Sequence, residues 1–166
     1  MNTPDLDTLA GYLGVPSTWL DRLITFESGF NPQAKNPISG ARGLIQFTDT
    51  TARNMGFTSA LDLVTRYPDI SSQLRGPVRD YLTPFKPFPT AQSLYMAVFY
   101  PAARKWPLEA LFPLEVQKDN PGINTVGDYV SRVQGIKLKD IAYGGSWIIL
   151  SGIALYVLYK QSKRGA

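Results

Sequence analysis

The sequence contains no cysteine and no histidine, and only three glutamates, Glu27, Glu109 and Glu115. The first absence excludes a disulfide framework, a thiol nucleophile and an iron–sulfur cluster. The second excludes a Ser-His-Asp triad and a histidine-bearing zinc site. No cofactor and no metal are expected. Any chemistry must come from carboxylates, hydroxyls, amides, lysine, arginine and aromatic rings. The chain's 166 residues leave room for one domain of ordinary size and a short appendage. There is no internal repeat and no low-complexity run.

Positive charge is nearly missing from most of the chain as a surplus. The net charge is +4, but Lys137, Lys139, Lys160, Lys163 and Arg164 face Asp140 alone, so residues 1–136 are neutral. A neutral domain has no excess with which to displace counterions from phosphates, so nucleic acid is not an expected partner. The surplus flanks 141–159, IAYGGSWIILSGIALYVLY, which carries no charge at all. As a helix this stretch would reach roughly 28 Å, close to the ~30 Å of a bilayer's hydrocarbon. Tyr143 and Trp147 lie near one end, Tyr156 and Tyr159 near the other, as interfacial belts require. The expectation is a transmembrane anchor over 137–166 with a lipid membrane as its partner. Asp5 and Asp7 stand where a signal peptide's basic region would be, so no leader is expected.

Strand patterns are scarce, and helix punctuation is frequent. Thr3-Pro4 opens a helix that Gly14 ends, and Ser17 caps a second that Gly29 stops. After a Pro- and Gly-rich stretch over 30–43, Thr48 or Thr50 opens a third, closed by Gly56. Ser59 and Asp69 cap two more, the latter interrupted around Gly76-Pro77. Thr90 precedes the apolar run AQSLYMAVFY, and Thr125 with Asp128 forms an acidic capping box. That last helix is expected to continue toward the membrane segment.

Glu27 is out of place. Leu20, Leu23, Ile24 and Glu27 recur at i, i+3, i+4 and i+7, which puts a carboxylate on the apolar face of the second helix. It also falls at the helix C-terminus, where free carbonyls disfavour negative charge. Desolvation and dipole both raise its pKa, leaving a protonated acid near neutral pH. Such an acid suits protonation of a glycosidic leaving group. The alternative is a glutamate neutralised by Arg22 or another cation.

From Glu27 onward the chain reads ESGFNPQAKNPISGARGLIQFTDTTARNMG. Glu27-Ser28, Asn31-Pro32-Gln33-Ala34, Ser39 to Gln46 (SGARGLIQ) and Thr51-Ala52 resemble the motifs of the soluble lytic transglycosylase-like family, relatives of goose-type lysozyme. LYMAVFYPA over 94–102 resembles a divergent Ala-Tyr-Asn-x-Gly motif, with Phe99-Tyr100 at Tyr-Asn, and TVGDYVSRV over 125–133 resembles the motif whose Tyr, here Tyr129, lies near the acid. The resemblance spans roughly 16–136. It implies a mainly α, lysozyme-like helical domain over 1–136, formally α+β if a small hairpin is present, followed by the C-terminal transmembrane helix.

The resemblance further implies a peptidoglycan lytic transglycosylase that cuts between N-acetylmuramic acid and N-acetylglucosamine and leaves a 1,6-anhydro sugar. Glu27 would be its catalytic residue, and Ser28, Gln46, Tyr100 and Tyr129 would meet the glycan strand. Asp49 reads as a first-turn helix residue rather than a second catalytic carboxylate. The expected setting is a membrane-anchored enzyme of a phage virion or of the bacterial envelope, associated with other proteins there. A hydrolytic lysozyme and a non-catalytic glycan-binding virion component remain open alternatives.

Overall fold

The computed structural model describes residues 4–135. α1 (Pro4–Leu13) begins with proline at its first position and carries Asp5 and Asp7 in its first turn, where the macrodipole favours acids. α2 (Ser17–Ser28) ends at Gly29, which adopts φ 60°, ψ 30° and returns its N–H to the Thr25 carbonyl. Pro16, not Ser17, holds the N-cap position, and no side chain caps this helix. α3 (Asp49–Asn54) and α4 (Ala60–Arg66) are capped by Thr48 and Ser59, whose hydroxyls accept from the third helical N–H.

α5 (Ile70–Gln73) opens on an Asp69–Ser72 capping box. A π turn over Leu74–Val78 joins it to α6 (Arg79–Leu82), because Gly76 leaves the helical region and Pro77 has no N–H to donate. A 3₁₀ turn over Thr83–Phe85 follows. α7 (Ala91–Phe99) is buried from Ser93 to Phe99, on every face, as its unbroken apolar run requires. After a second 3₁₀ turn, Pro101–Ala103, come α8 (Leu114–Asp119), which no side-chain cap announces, and α9 (Val126–Val133).

α7 is the axis of the core, with α2 and α9 packed on it and on each other. Each of the two flanking helices turns an i, i+3, i+4, i+7 stripe inward: Leu20, Leu23, Ile24 and Glu27 from α2, Val126, Tyr129, Val130 and Val133 from α9. Burying each aliphatic member contributes about 1.5–3 kcal/mol. The two stripes fix which side chains can meet across the interface: the last of α2 and the second of α9.

Among the described residues the mainly α reading holds without the hairpin that would have made it formally α+β, and two expectations about the C-terminal end are corrected. No strand forms among the described residues; the 30–48 stretch makes only the isolated bridges Lys35–Arg42 and Arg42–Phe47. Positive φ at Gly40, Gly43 and Gln46 turns the chain every few residues, too often for a hairpin ladder. The C-terminal transmembrane helix is not upheld: among the described residues no helix is long and apolar enough to cross a membrane. The segment expected to span, 141–159, lies outside the described residues. Nor does the last helix run on toward it, since α9 ends at Val133 and Gly135 takes φ 68°. What stands is a mainly helical domain consistent with a lysozyme-like fold.

Candidate active site

Glu27 is 4% exposed at the closing turn of α2. The Tyr129 hydroxyl donates to its Oε1 at 2.5 Å, across the α2–α9 interface. Oε2 is buried and has no partner among the described residues. Burial pushes the carboxyl up from 4.5 to about 7, and the Tyr129 hydrogen bond, which favours the charged form, draws it part of the way back. Among the described residues, neither Arg22 nor any other cation acts on it. The result is one acid, held by a protein donor at one oxygen and by none of the described residues at the other, with a proton affinity matched to neutral pH.

Tyr129 is held in turn. Its ring stacks on Phe99 of α7, with centroids 4.1 Å apart and planes 17° apart, and meets Phe26 edge-on at 5.5 Å. The Thr125–Asp128 capping box fixes the start of α9 one turn before it. Burial first, and then the Glu27 carboxylate, raise the Tyr129 phenol well above its ordinary range, so it stays a donor. Tyr95, one helical turn before Phe99 on the same face of α7, is fully buried and acts electrostatically on Tyr129. No hydrogen bond of good geometry reaches its hydroxyl among the described residues, but the Arg22 side chain of α2 lies close enough to act on it as a donor. Burial raises its pKa, and Arg22, through its charge and as a donor to the hydroxyl, opposes that rise.

The 30–48 loop supplies the other wall. The Ser28 hydroxyl donates to the Leu44 carbonyl at 2.9 Å and lies 3.2 Å from that of Ile24, tying the loop to the helix end beside Glu27. Gln46 is buried with φ 55°, a region that costs a non-glycine residue energy. Its Nε2 donates to the Gly43 carbonyl at 3.0 Å. That leaves the amide oxygen as the group able to accept from a ligand.

Of the site residues expected from sequence, Glu27, Ser28, Gln46 and Tyr129 therefore belong to one end of the α2–α9 pair and the loop against it. Tyr100 does not. It is the C-cap of α7, at φ −149° and ψ 86°, and its ring packs on Trp106 and Phe112. Leaving the helix at that residue swings the side chain out of the face that Tyr95 and Phe99 share. The aromatic that sequence reasoning missed is Tyr95. No motif announced it: Leu94-Tyr95-Met96-Ala97-Val98 shares only the tyrosine with the Ala-Tyr-Asn-x-Gly pattern. Asp49 is the first residue of α3, where its Oδ1 accepts from the Ala60 N–H at 2.8 Å. It is spent on that contact as a structural carboxylate. Among the described residues no group of three or more acidic side chains is arranged to hold a metal ion.

Residues 10–72 match the family model of the transglycosylase SLT domain. The match runs from the end of α1 to α5 and includes Glu27, Ser28 and Gln46, with Tyr95 and Tyr129 beyond it. It supports a lytic transglycosylase-like family and, at that level, an enzyme whose substrate is peptidoglycan. No curated protein matches the chain.

Proposed function

We propose that this chain is a lytic transglycosylase that cleaves the bond between N-acetylmuramic acid and N-acetylglucosamine, with Glu27 as both acid and base. The observation that carries the reading is the buried Glu27 carboxyl, near pKa 7, bonded by Tyr129 at Oε1 and bare at Oε2. The proton on Oε2 passes to the glycosidic oxygen as the bond to the muramoyl C1 breaks. The carboxylate so formed is steadied by the Tyr129 hydroxyl. It then takes the proton of the muramoyl C6 hydroxyl, whose oxygen closes on C1 and gives the 1,6-anhydro sugar. Glu27 ends protonated, as it began.

One carboxylate suffices because the nucleophile is part of the substrate and is already near C1. A retaining glycosidase would need a second carboxyl about 5 Å away, and no acidic group acts on Glu27 among the described residues. Gln46 and Ser28 hold the loop wall against the glycan strand, and the Tyr95 hydroxyl, buried between Arg22 and Tyr129, is a further polar group on this face of α7. In use, such an activity opens a cell wall locally, as a phage particle does during genome delivery or an envelope assembly does during construction.

The test is digestion of purified peptidoglycan by the full chain, with mass analysis of the products. Anhydro-muramoyl ends, one water lighter than those made by a hydrolytic lysozyme, are expected, and Glu27→Gln should yield none. Reducing ends would make the enzyme a hydrolase. Strand binding without any cleavage would make it a glycan-binding module.

A further inference from the structure

Gln73 lies outside every motif considered so far and is one of the few polar side chains of the core with no exposed surface. Its amide joins both arms of the 30–48 loop to the turn that precedes α5. The Leu44 N–H donates to Oε1 at 2.9 Å, while Nε2 donates to the Pro32 carbonyl at 2.7 Å and the Tyr67 carbonyl at 2.9 Å. Both amide hydrogens and an oxygen lone pair are thus used. The fit is close on the loop side, since a Cβ on Gly43 would stand 2.8 Å from that same Oε1. Gly43, at φ 80°, lets the backbone lie against the amide.

The residue it grips is the centre of the loop wall. Leu44 gives its N–H to Gln73 and its carbonyl to the Ser28 hydroxyl, beside Glu27. The neighbouring Gly43 carbonyl accepts from Gln46. A short path of hydrogen bonds therefore runs from α5, through the 43–46 turn, to both loop-side residues of the site. Gln33 reinforces it from the other side of the loop, its Nε2 donating to the Pro68 carbonyl at 2.8 Å. Packing alone could hold a loop down, but three directional bonds fix where its carbonyls and side chains point.

From this we infer that Gln73 is a positioning residue for the glycan-binding wall: its amide sets the 43–46 turn so that Gln46 stays in register with Glu27. The inference rests on the proposed transglycosylase reading. It makes Gln73 a determinant of substrate binding that never touches the substrate, and it leaves the Glu27–Tyr129 pair alone.

The experiment compares the full chain with Gln73→Met and Gln73→Glu on soluble peptidoglycan strands, at a temperature well below each variant's unfolding transition. Methionine matches the amide in length and makes none of its bonds. A buried glutamate takes up a proton, keeps the oxygen for Leu44 and restores one donor. We expect kcat/KM to fall about 10- to 100-fold for Gln73→Met, mostly through KM, because displacements near 1 Å cost that much. Gln73→Glu should fall in between, and the pH at which activity is lost on the alkaline side should not move. A folded Gln73→Met with wild-type kcat/KM and only a lower unfolding temperature makes the residue purely structural and overturns the inference. If that variant does not fold, Gln73→Glu decides in the same way: reduced kcat/KM supports, wild-type kcat/KM overturns. A wild type that cleaves nothing overturns the enzymatic reading and the inference with it, an outcome distinct from an active wild type with unaffected variants.

Discussion

Replacing Glu27 by glutamine should make the protein more stable in alkaline solution and slightly less stable in acid. With its pKa at about 7 in the folded protein against an ordinary 4.5, the folded state binds a proton more tightly than the unfolded state. Between those two values the native protein carries more protons than the unfolded chain, so stability falls as pH rises. At about 1.4 kcal/mol per pH unit, the loss reaches about 3 kcal/mol and is complete above the folded pKa. Glutamine does not titrate. Its carbonyl still accepts from Tyr129, but its NH₂ replaces the bare Oε2 and brings an unsatisfied donor, costing about 1 kcal/mol at every pH. Glu27→Gln is therefore expected to destabilise by about 1 kcal/mol at pH 4.5 and to stabilise by about 2 kcal/mol at pH 8. Urea unfolding of both proteins at the two pH values measures this directly, because all other titrating groups are shared and cancel. In thermal unfolding the variant should gain roughly 10 °C on the wild type between the two conditions. A difference between the two proteins that does not change with pH would refute the raised pKa, and the acid–base role proposed for Glu27 would lose its basis.

Two further substitutions separate the roles of the tyrosines. Activity requires the Glu27 proton, so it should fall as pH rises through about 7; Tyr129→Phe removes the bond that favours the carboxylate, moving that alkaline limb to higher pH and costing about 1–3 kcal/mol for the oxygen left unpaired. A pH–rate profile with an unmoved limb would show that the 2.5 Å contact does not tune the acid. Tyr95→Phe deletes a hydroxyl that, among the described residues, Arg22 alone approaches, without good hydrogen-bond geometry, so stability should change by about 1 kcal/mol or less, while kcat/KM falls if the hydroxyl meets a sugar. Unchanged turnover would reduce Tyr95 to a packing residue.

Much of the local structure could be read because helix ends are written in short-range chemistry. Thr48, Ser59, Asp69, Thr90 and Thr125 each cap the helix that follows, and the interruption at Gly76-Pro77 is there as a π turn. Glu27 was legible for a different reason: a carboxylate on an apolar stripe contradicts its own neighbours, and the contradiction is visible at i, i+3, i+4, i+7 spacing. Tyr100 and Tyr95 show where this stops. Both lie in one aromatic run, and only the point at which α7 ends decides which faces α2 and α9; that point is set by Tyr100 leaving helical geometry ahead of Pro101. Gln73 shows a deeper limit. Its two loop partners are 29 and 41 residues away, and a lone glutamine on a four-residue helix has no periodicity that could announce them.

The same placement that weakens the fold makes the proposed chemistry possible. A glutamate on the exposed face of α2 would cost nothing and would be ionised at neutral pH, unable to protonate a leaving group. Moving it onto the buried stripe holds the proton, at a cost of about 3 kcal/mol near neutrality, a substantial share of the 5–15 kcal/mol by which domains are ordinarily stable. That cost is tolerable only where the surroundings are rigid enough to keep water from the carboxyl. Stacking of Tyr129 on Phe99 provides this rigidity on the α9 side. On the loop side, where no strand forms, it falls to hydrogen bonds from Ser28, Gln33 and Gln73. A loop wall without a sheet behind it must be fastened by side-chain amides, which is why a buried glutamine far from the acid bears on what the acid can do.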